Sequence, residues 1–415
     1  MSQWQKNLYI SWFTQVLSLM GFGFMMPFIP LYIQTLGVTS PNGLRFWVGM
    51  LTSLPALALA VMGPIWGVLA DRYGRKIMIL RSMAAGVIVV GLMGFAPNVG
   101  TVFLLRLLQG VFTGTIVASA TLVAVGTPSR RLASALGFLS TSTFIGYTIG
   151  PLIGGLCAEL FNYRVTFLIG SAIIAAAFVL VLLYVREVKQ PVPEPRESGA
   201  AFSPRIFLRL PFLVLLAILF LNRFASTLPN PFIPLYIQEL RGSFSGTSAV
   251  TGAVLAAGGL ASAFSGLTIS RIGDRRDKVF LVLCLLGASA LAGLPLFLTQ
   301  GLAAFVIFYV LSVFFCGGIE PLIQSHLSVH TEPENRGVLF GMQTMVSNLG
   351  VFFSPIAGSL ITIVLSIKHL FLFYSLFFFS TFGLLAVYRL AKRKRAPGGP
   401  AIGAATGASA GSRRD

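Results

Sequence analysis

Residues 27–34 read Pro-Phe-Ile-Pro-Leu-Tyr-Ile-Gln, and residues 231–238 repeat that octapeptide without a change. Each copy stands near the end of a long apolar segment. Eight ordered matches at a spacing of 204 residues do not arise from a shared bias toward apolar residues. The chain is therefore predicted to consist of two homologous halves.

Two shorter correspondences follow at nearly the same spacing. Ala-Asp-Arg at 70–72 matches Gly-Asp-Arg at 273–275, and Gly-Pro-x-x-Gly at 150–154 matches Ser-Pro-x-x-Gly at 354–358. If each half holds an even number of membrane spans, the halves are parallel in the membrane, which is one of the established plans of secondary transporters. Two such bundles could rock about a shared central site and expose it to each side in turn.

The composition indicates a membrane protein. The 415 residues are 55% hydrophobic and only 10% charged, whereas a soluble domain carries about 25% charged residues. Apolar runs of about twenty residues, long enough to cross the hydrocarbon core, recur along the chain. Because lipid offers no hydrogen-bond partner to the backbone, these runs are predicted to be helices. The predicted fold class is an all-α membrane protein with twelve transmembrane helices in two pseudo-symmetric six-helix bundles. The predicted spans are 8–33, 45–70, 77–96, 102–125, 134–159, 164–186, 211–237, 247–270, 278–298, 302–329, 337–363 and 369–390.

The distribution of basic residues predicts the topology. Of the 30 Lys and Arg residues, 24 lie in the terminal segments and loops of one side, four on the other side and two within spans. Basic loops stay on the cytoplasmic side, so both termini are expected there, in a multi-pass protein of the inner (plasma) membrane. The net charge of +18 is interpreted as this topology signal rather than as a nucleic-acid-binding surface, because the basic residues stand in short loops.

The predicted organisation has four parts. An N-terminal six-helix bundle covers residues 1–186, and a C-terminal six-helix bundle covers 211–390. A cytoplasmic linker, residues 187–210, joins them; its alternating prolines favour an extended chain. The tail, residues 391–415, is rich in Ala, Gly and Ser and is expected to be disordered.

A ten-residue motif connects the second and third predicted helices. Residues 67–76 read Gly-Val-Leu-Ala-Asp-Arg-Tyr-Gly-Arg-Lys. This motif resembles the G-x-L-a-D-r-x-G-r-k signature of the major facilitator superfamily, and nearly every specified position is filled. The residues expected to take part in gating are Gly67, Asp71, Arg72, Gly74, Arg75 and Lys76, with Asp274 and Arg275 in a degraded second copy.

The resemblance implies a latch at the cytoplasmic gate. Asp71 is expected to accept hydrogen bonds from backbone amides at the start of the eleventh helix, where the helix dipole favours an anion, and so to hold the outward-facing state. Gly67 is expected to allow close approach of helices, and Gly74 to supply the bend of the loop. The alternative is that Asp71 pairs only locally, with Arg75 or Arg130.

The fourth predicted helix carries a charge within its apolar run. Arg106 stands three residues before Gln109 and four before Gly110. The spacing resembles the family's R-x-x-x-G signature, whose arginine is associated with proton coupling. A charge inside a span is costly and favours a functional interpretation. The alternative is that Arg106, which is only a few residues from the helix start, extends its side chain to the membrane interface.

The fifth predicted helix carries a glycine-rich motif. Residues 146–155 read Gly-Tyr-Thr-Ile-Gly-Pro-Leu-Ile-Gly-Gly and resemble the g-x-x-x-G-P-x-x-G-G pattern that marks antiporters within the family. Glycines spaced by four are expected to form a groove for tight helix contact, and Pro151 to bend the helix. The alternative is generic helix packing. The motif residues are Gly146, Gly150, Pro151, Gly154 and Gly155. Over its whole length the chain resembles the twelve-helix drug:proton antiporter branch of the superfamily.

The tenth predicted helix carries an acidic residue, Glu320. In this family helices 1, 4, 7 and 10 line the cavity, and Gly318 corresponds by the repeat to Gly114, so Glu320 is expected to face the central space. A carboxyl removed from water could alternate between binding a proton and attracting a cationic substrate. The alternative is a structural acid paired with His326 or Arg106. The predicted proton-coupling residues are Glu320, Arg106 and Asp71.

A second charge within a span, Arg223, lies midway along the seventh predicted helix. A cation there favours anionic or zwitterionic substrates, or neutralises Glu320. Thirty-six Phe and 11 Met residues offer adaptable walls for apolar ligands. Glu159, near the outer end of the fifth helix, is expected to pair with Arg164. The predicted substrate-cavity residues are Arg223, Asn222, Gln109, Tyr32 and Tyr236.

No enzymatic or cofactor signature is present in the sequence. It contains no G-x-x-x-x-G-K-[ST] phosphate loop, and Cys157, Cys284 and Cys316 have no metal-ligand spacing. We therefore expect no cofactor, no metal and no enzymatic activity, with a proton gradient as the energy source. The expected partners are a small-molecule substrate, protons and the lipid bilayer, with the chain acting as a monomer. The leading hypothesis is proton-coupled efflux of small amphipathic compounds. The alternative is a dedicated metabolite or sugar exporter, or a uniporter, of the same fold.

Overall fold

A computed structural model describes residues 1–187, 210–273, 275–329 and 336–395 of the chain. All regular elements in these ranges are helices, and twelve of them are long and apolar enough to cross a membrane. We number them α1–α12 and divide interrupted helices into parts a and b. The N-terminal half contains α1a (Gln3–Gly23), α1b (Ile29–Thr35), α2 (Pro41–Tyr73), α3 (Arg75–Met93), α4a (Val99–Phe112), α4b (Thr115–Gly126), α5 (Leu132–Leu160) and α6 (Tyr163–Tyr184). The C-terminal half contains α7a (Leu210–Thr227), α7b (Ile233–Arg241), α8 (Thr247–Gly273), α9 (Lys278–Leu298), α10a (Leu302–Gly317), α10b (Ile319–Val329), α11 (Arg336–Val364) and α12 (His369–Arg395).

The predicted fold class is confirmed, with twelve spans close to the predicted positions. The largest differences are at helix ends. α12 continues to Arg395, so the first five residues of the predicted disordered tail, 391–395, are helical instead. Residues 188–209 of the predicted linker and residues 396–415 of the predicted tail lie outside the described part of the chain.

Short polar residues set the starts of several helices. The side chains of Ser40, Asn98 and Asn162 each accept a hydrogen bond from a backbone amide three residues later. Asp277 does the same at the start of α9. Such N-caps satisfy amides that have no partner within the helix, so the chain can turn in a few residues and re-enter the apolar layer.

The octapeptide repeat interrupts α1 and α7 in the same way. In each copy a 3-10 turn, Met26–Phe28 or Asn230–Phe232, precedes the second helical part. The prolines account for the interruption, because they lack the amide that would continue the preceding helix and they fit the first positions of a new one.

Helices α4 and α10 are interrupted at the equivalent glycines Gly114 and Gly318. Gly114 has a φ of 142°, a region that side chains disfavour. In α10 the following Pro321 has no amide to donate to the carbonyl of Gly317. The four interrupted helices therefore occupy equivalent places in the two halves, 1 and 4 in the first and 7 and 10 in the second.

The halves repeat one packing scheme. α1a packs on α5 and α6 in the first half, and α7a packs on α11 and α12 in the second. The tyrosine of each octapeptide makes an equivalent hydrogen bond in its half. The Tyr32 hydroxyl donates to the Met93 carbonyl at 2.8 Å, and the Tyr236 hydroxyl donates to the Thr299 carbonyl at 3.2 Å. Each tyrosine thus ties the first helix of its half to the end of the third.

The two faces of the molecule are distinguished by their loops. The terminal face carries the N-terminus, the α2–α3 loop and the end of α6, which are joined by hydrogen bonds from Asn7 to Arg186 and from Lys76 to Leu182. The opposite face carries the α1–α2, α5–α6 and α7–α8 connections.

The two halves meet near the opposite face and separate toward the terminal face. α2 packs on α11, and α5 packs on α8. A methyl group added at Gly49 would stand 2.6 Å from Cβ of Ser359 in the other half. Nearer the terminal face, a methyl group at Gly63, Gly137 or Gly266 would meet no atom within 4 Å. The halves are therefore closely packed near the opposite face and less crowded near the terminal face, and we refer to the space between them as the cavity.

Candidate functional site

The central charge pair joins the two interrupted helices of the C-terminal half. Nη1 of Arg223 on α7a lies 3.4 Å from Oε2 of Glu320, which stands in the first turn of α10b. The two side chains are 43% and 26% exposed, so both face solvent-accessible space inside the bundle. Because the start of a helix favours a negative charge, the interruption at Gly318 places Glu320 where its carboxylate is stabilised.

Polar neighbours surround this pair. Nε2 of Gln324 donates to Oε1 of Glu320 at 3.3 Å, and Cys316 Sγ lies 3.9 Å from Oδ1 of the buried Asn222. Cys316 is close enough to interact electrostatically with both charges. The prediction that Glu320 and Arg223 face a central space agrees with this geometry, and the alternative pairing of Glu320 with Arg106 does not occur.

The backbone around Arg223 is held firmly by its neighbours. Ser354 on α11 donates to the carbonyl of Phe224 at 2.8 Å, and Thr227 donates to the carbonyl of Arg223 at 2.7 Å. A methyl group at Gly350 would stand 3.2 Å from Cβ of Arg223, so this glycine allows α11 to pack closely on α7a. The guanidinium is therefore mobile only through its own side-chain torsions.

Tyr147, on α5 of the N-terminal half, interacts electrostatically with Arg223 across the cavity and is 53% exposed. Sequence reasoning treated this residue only as an unspecified position of the glycine motif. Its place between two glycines of that motif could have indicated a side chain aimed away from the packed face. An aromatic hydroxyl of the N-terminal half therefore lies within electrostatic range of Arg223.

Arg106 is bound within the N-terminal half. Its Nε donates to the Leu51 carbonyl at 3.0 Å, and its Nη1 contacts Oε1 of Gln109 and Sδ of Met26, both at 2.6 Å. Gln109 is 6% exposed. The guanidinium therefore links α4a to α2 and to the 3-10 turn that follows α1a, and it does not extend to the membrane interface as the alternative supposed. Whether Arg106 and Gln109 act in coupling and substrate binding stays a prediction.

The glycine motif of α5 makes contacts on two sides. Methyl groups at Gly146, Gly150 and Gly154 would collide with Leu19, Met20 and Phe24 of the first helix, respectively. One at Gly155 would collide with the carbonyl of Ser248 on α8, in the other half. The predicted groove for tight helix contact is present. The same motif also shapes the contact between the halves, through Gly155 and through Pro151, whose carbonyl faces Gly252.

The motif at 67–76 forms a tight turn at the terminal face. Gly74 has a φ of 98°, which agrees with the predicted bend. The carboxylate of Glu187, just after α6, accepts from the amides of Arg75 at 2.9 Å and Lys76 at 2.6 Å. A carboxylate at a helix start is favourable, so Glu187 fixes the beginning of α3. The sequence gives no spacing signal for this contact.

The predicted gating roles of the other described residues of this motif are not supported by contacts in this structure. Gly67 was expected to allow close helix approach, but a methyl group there would meet no atom within 4 Å in this open arrangement. Arg72 lies over the ring of Tyr73, 5.5 Å from its centroid, and Arg275 follows the end of α8. The side chain of Asp71 and all of Asp274 lie outside the described part of the chain, so the latch stays a prediction.

Tyr32 and Tyr236 lie away from the cavity. They are 1% and 4% exposed, and both hydroxyls are engaged by backbone carbonyls. The prediction that they contact substrate gains no support from this geometry, because neither hydroxyl is free. A tyrosine near a helix end has the same sequence pattern whether it lies at the membrane interface or packs inside the protein. In this structure both tyrosines pack within their own half.

Polar contacts close the opposite face. The side-chain amides of Gln34 and Gln238, the last residues of the two octapeptides, bond each other reciprocally at 3.0 and 3.3 Å. Arg45 at the start of α2 donates to the Thr362 carbonyl at the end of α11, at 2.8 Å. Glu159 accepts from the amide of Gly246 at 2.6 Å, at the start of α8.

The contact of Glu159 corrects its predicted pairing with Arg164. Its carboxylate also accepts from the hydroxyl of Ser245, at 3.3 Å. Both partners belong to the C-terminal half, so Glu159 joins the halves rather than neighbouring loops of one half. A cavity of about 370 Å³ lies beside these contacts and is lined by both Gln34 and Gln238.

Comparisons with known proteins agree with this architecture. The family model described as Major Facilitator Superfamily matches residues 11–243 and 215–411. The "Multi-drug resistance efflux pump PmrA homolog" of Lactococcus lactis subsp. lactis is 35% identical over 359 residues, covering 86% of this chain and 88% of the relative. "Multidrug resistance protein MdtG" of Proteus mirabilis is 31% identical over 382 residues, covering 90% and 93%.

Solved structures share the fold at low sequence identity. A bacterial homolog of the human lysosomal transporter Spinster, in an inward-facing and occupied conformation, has a TM-score of 0.73 at 16% identity and covers 95% of this chain and 98% of its own. The nucleoside transporter NupG has a TM-score of 0.71 at 16% identity, with coverage of 94% and 100%. With its duplicated six-helix halves, its interrupted helices and these matches, the chain belongs to the major facilitator superfamily of transporters.

Proposed function

We propose that this protein exports small amphipathic compounds across the inner membrane in exchange for protons, by alternating access. The observation that carries the proposal is the Arg223–Glu320 pair, which faces the cavity between two halves that are in contact at one face only. The relatives named as multidrug efflux proteins support the substrate class. The terminal face is the cytoplasmic side in this proposal, because it carries most of the basic residues.

Glu320 is the proton-binding group of the proposed cycle. A carboxylate in the cavity attracts a substrate or its own neighbour Arg223 when it is ionised, and it releases them when it takes up a proton. The charged and titratable groups that face it are Arg223 on α7a and Cys316 on α10a, with Gln324 as a neutral partner on its own helix. Proton binding and substrate binding therefore exclude each other, which is the requirement for exchange.

The proposed movement is a rocking of the two halves, which changes the contacts at the opposite face. Gly155 allows α5 to pack directly on α8, and the reciprocal Gln34–Gln238 bond lies between the halves. Rocking of the halves would break these contacts and close the terminal face. The predicted latch of Asp71 on the start of α11 would then form in the outward-facing state.

The test is transport into proteoliposomes with an acidic lumen. Outward proton flow should drive accumulation of a fluorescent amphipathic dye, and collapsing the pH gradient should abolish it. Glu320→Gln should reduce gradient-driven accumulation at least about tenfold while downhill exchange of the dye continues, because the carboxyl no longer exchanges a proton. Glu239→Gln, which changes an exposed acid at the opposite face, is the control and should transport like the parent protein.

Three outcomes distinguish the candidates. Accumulation that survives Glu320→Gln would remove Glu320 from the coupling step. Dye movement that never exceeds equilibrium in the parent protein would favour the uniporter alternative. Absence of dye movement, with transport of a metabolite or sugar instead, would favour a dedicated exporter.

A further inference from the structure

The internal charge pair also constrains which compounds the site binds best. Among the described residues, two guanidiniums and one carboxylate lie within the middle of the spans: Arg106, Arg223 and Glu320. Arg106 is engaged by a carbonyl, an amide oxygen and a sulfur of its own half. Arg223 and Glu320 are therefore the charges that remain available to a ligand.

The Arg223–Glu320 contact is loose. Its shortest N–O distance is 3.4 Å, longer than the 2.7–2.9 Å typical of a charge-assisted hydrogen bond. Nε of Arg223 is buried and has no hydrogen-bond partner among the described residues. One oxygen of Glu320 accepts only a neutral bond, from Gln324. Both groups retain capacity for a stronger partner, so the pair can open for a ligand without disturbing the backbone that holds it.

A ligand with a single charge satisfies only half of this pair. A monocation that binds Glu320 must displace Arg223 and leaves the guanidinium without its carboxylate. A monoanion that binds Arg223 leaves Glu320 unpaired. In either case one charge within a membrane span loses its partner, which is costly. A zwitterion replaces the internal pair by two external pairs and leaves neither charge unpaired.

We propose that Arg223 and Glu320 together form a binding site for zwitterionic amphipathic compounds whose basic and acidic groups are close together. The proposal rests on the proposed function and narrows its substrate class. The basic group binds Glu320, and the acidic group binds Arg223. The apolar part of the ligand lies along the cavity walls. Arg223 is thus a specificity-determining residue that disfavours monocations.

The test measures binding of four forms of one fluorescent scaffold to the purified full-length protein in lipid nanodiscs. The forms are the zwitterion, its methyl ester (a cation), its N-acetyl derivative (an anion) and the doubly blocked neutral compound. We expect the parent protein to bind the zwitterion at least about tenfold more tightly than the cation or the anion, which is about 1.4 kcal/mol. Equal affinity for the zwitterion and the cation in the parent protein would overturn the proposal.

Variants assign the preference to the two residues. Arg223→Gln should weaken binding of the zwitterion about tenfold and leave the cation bound as tightly as before or more tightly, because the competing guanidinium is gone. Arg223→Lys should restore most of the preference. Lys368→Gln removes an exposed positive charge at the start of α12 and serves as the control, with no change in preference. An unchanged ratio in Arg223→Gln would contradict the assignment.

A double variant that exchanges the two charges keeps the test valid if a single variant fails to fold. In the double variant Arg223→Glu, Glu320→Arg the pair is reversed but retained, and the zwitterion should still bind more tightly than either singly charged form. Loss of the preference in a folded double variant would contradict the proposal. Binding preference is measured without any gradient. A zwitterion preference without proton-driven transport would therefore refute the proposed function alone, and proton-driven transport without that preference would refute this inference alone.

Discussion

At the residue scale, the two arginines within the spans differ in the groups that compensate their charge. Arg106 has three partners that come from three helical segments of one half, whereas Arg223 faces one loosely held carboxylate and open space. A charge within a membrane persists only where partners or water compensate it. Arg106 is compensated by its own half, and Arg223 is compensated by Glu320 and the cavity.

Arg106→Gln tests the structural part played by the first of these. The variant removes the guanidinium that joins α4a to the Leu51 carbonyl on α2. We expect the free energy of unfolding to fall by roughly 1.5–3 kcal/mol, the range for hydrogen bonds that involve a charged group. Thermal unfolding of the purified protein measures this. Arg271→Gln, at an exposed position in the last turn of α8, is the control. Parent-like unfolding of Arg106→Gln would show that its contacts contribute nothing to stability.

Sequence reasoning found the charged residues of the site but not all of their partners. Glu320 and Arg223 could be predicted because a charge inside an apolar run is rare. The contact of Glu187 with the start of α3 could not, because its partners are backbone amides, which leave no residue signature. The inward packing of Tyr32 was also hidden, because the sequence does not say which carbonyl a hydroxyl will meet.

At the element scale, the four interrupted helices connect the repeat to the site. The interruption of α10 places Glu320 in a helix start, and the glycine motif of α5 packs on the first helix with one face and on α8 with another. The repeat predicted the equivalence of Gly114 and Gly318 but not the interruption itself. The spacing of Gly317 and Pro321 carried that information, because proline removes the amide that a continuous helix needs four residues later.

Three glycine substitutions on α5 separate packing within a half from packing between halves. Gly154→Val collides with the backbone of Phe24 and should destabilise the N-terminal half, lowering the unfolding temperature. Gly155→Val collides with Ser248 of the other half. It should therefore leave the N-terminal half folded and favour a conformation that is open at the opposite face. Gly137→Ala meets no atom and should change neither property.

The readouts are thermal unfolding and labelling by a membrane-impermeant thiol reagent of a cysteine placed at Ser359, which is 3% exposed and lies against Gly49 of the other half. We expect increased labelling at this position for Gly155→Val alone. If Gly155→Val lowered stability as much as Gly154→Val without changing the labelling, the contact between α5 and α8 would be part of folding rather than of the gate.

At the scale of the whole molecule, the contact between the halves is held by few polar bonds. The Gln34–Gln238, Arg45–Thr362 and Glu159–Gly246 contacts each contribute on the order of 1 kcal/mol net. Arg45 stands against a helix end and Glu159 against a helix start, so both charges agree with the helix dipoles. A ligand that binds the two states with different affinity can reverse this closure.

The architecture could be predicted from the sequence, and the conformation could not. The octapeptide, the apolar runs and the motif at 67–76 were sufficient for two six-helix halves, because membrane helices and duplicated segments leave strong patterns. The face at which the halves touch depends on a small difference in free energy between two arrangements of the same helices. No residue pattern reports that difference in free energy. The structure shows which face is in contact, because Gly49 is crowded by the other half and Gly63 is not.

The most direct test of the two-half mechanism is a pair of distance measurements on one protein in nanodiscs. With Cys157, Cys284 and Cys316 replaced by serine, spin labels are placed at Thr39 and Ser243 near the opposite face, and in a second variant at Val68 and Met345 near the terminal face. As the proton concentration and the substrate are varied, we predict that the first distance lengthens whenever the second shortens. Two distances that change independently, or do not change while transport proceeds, would contradict the account.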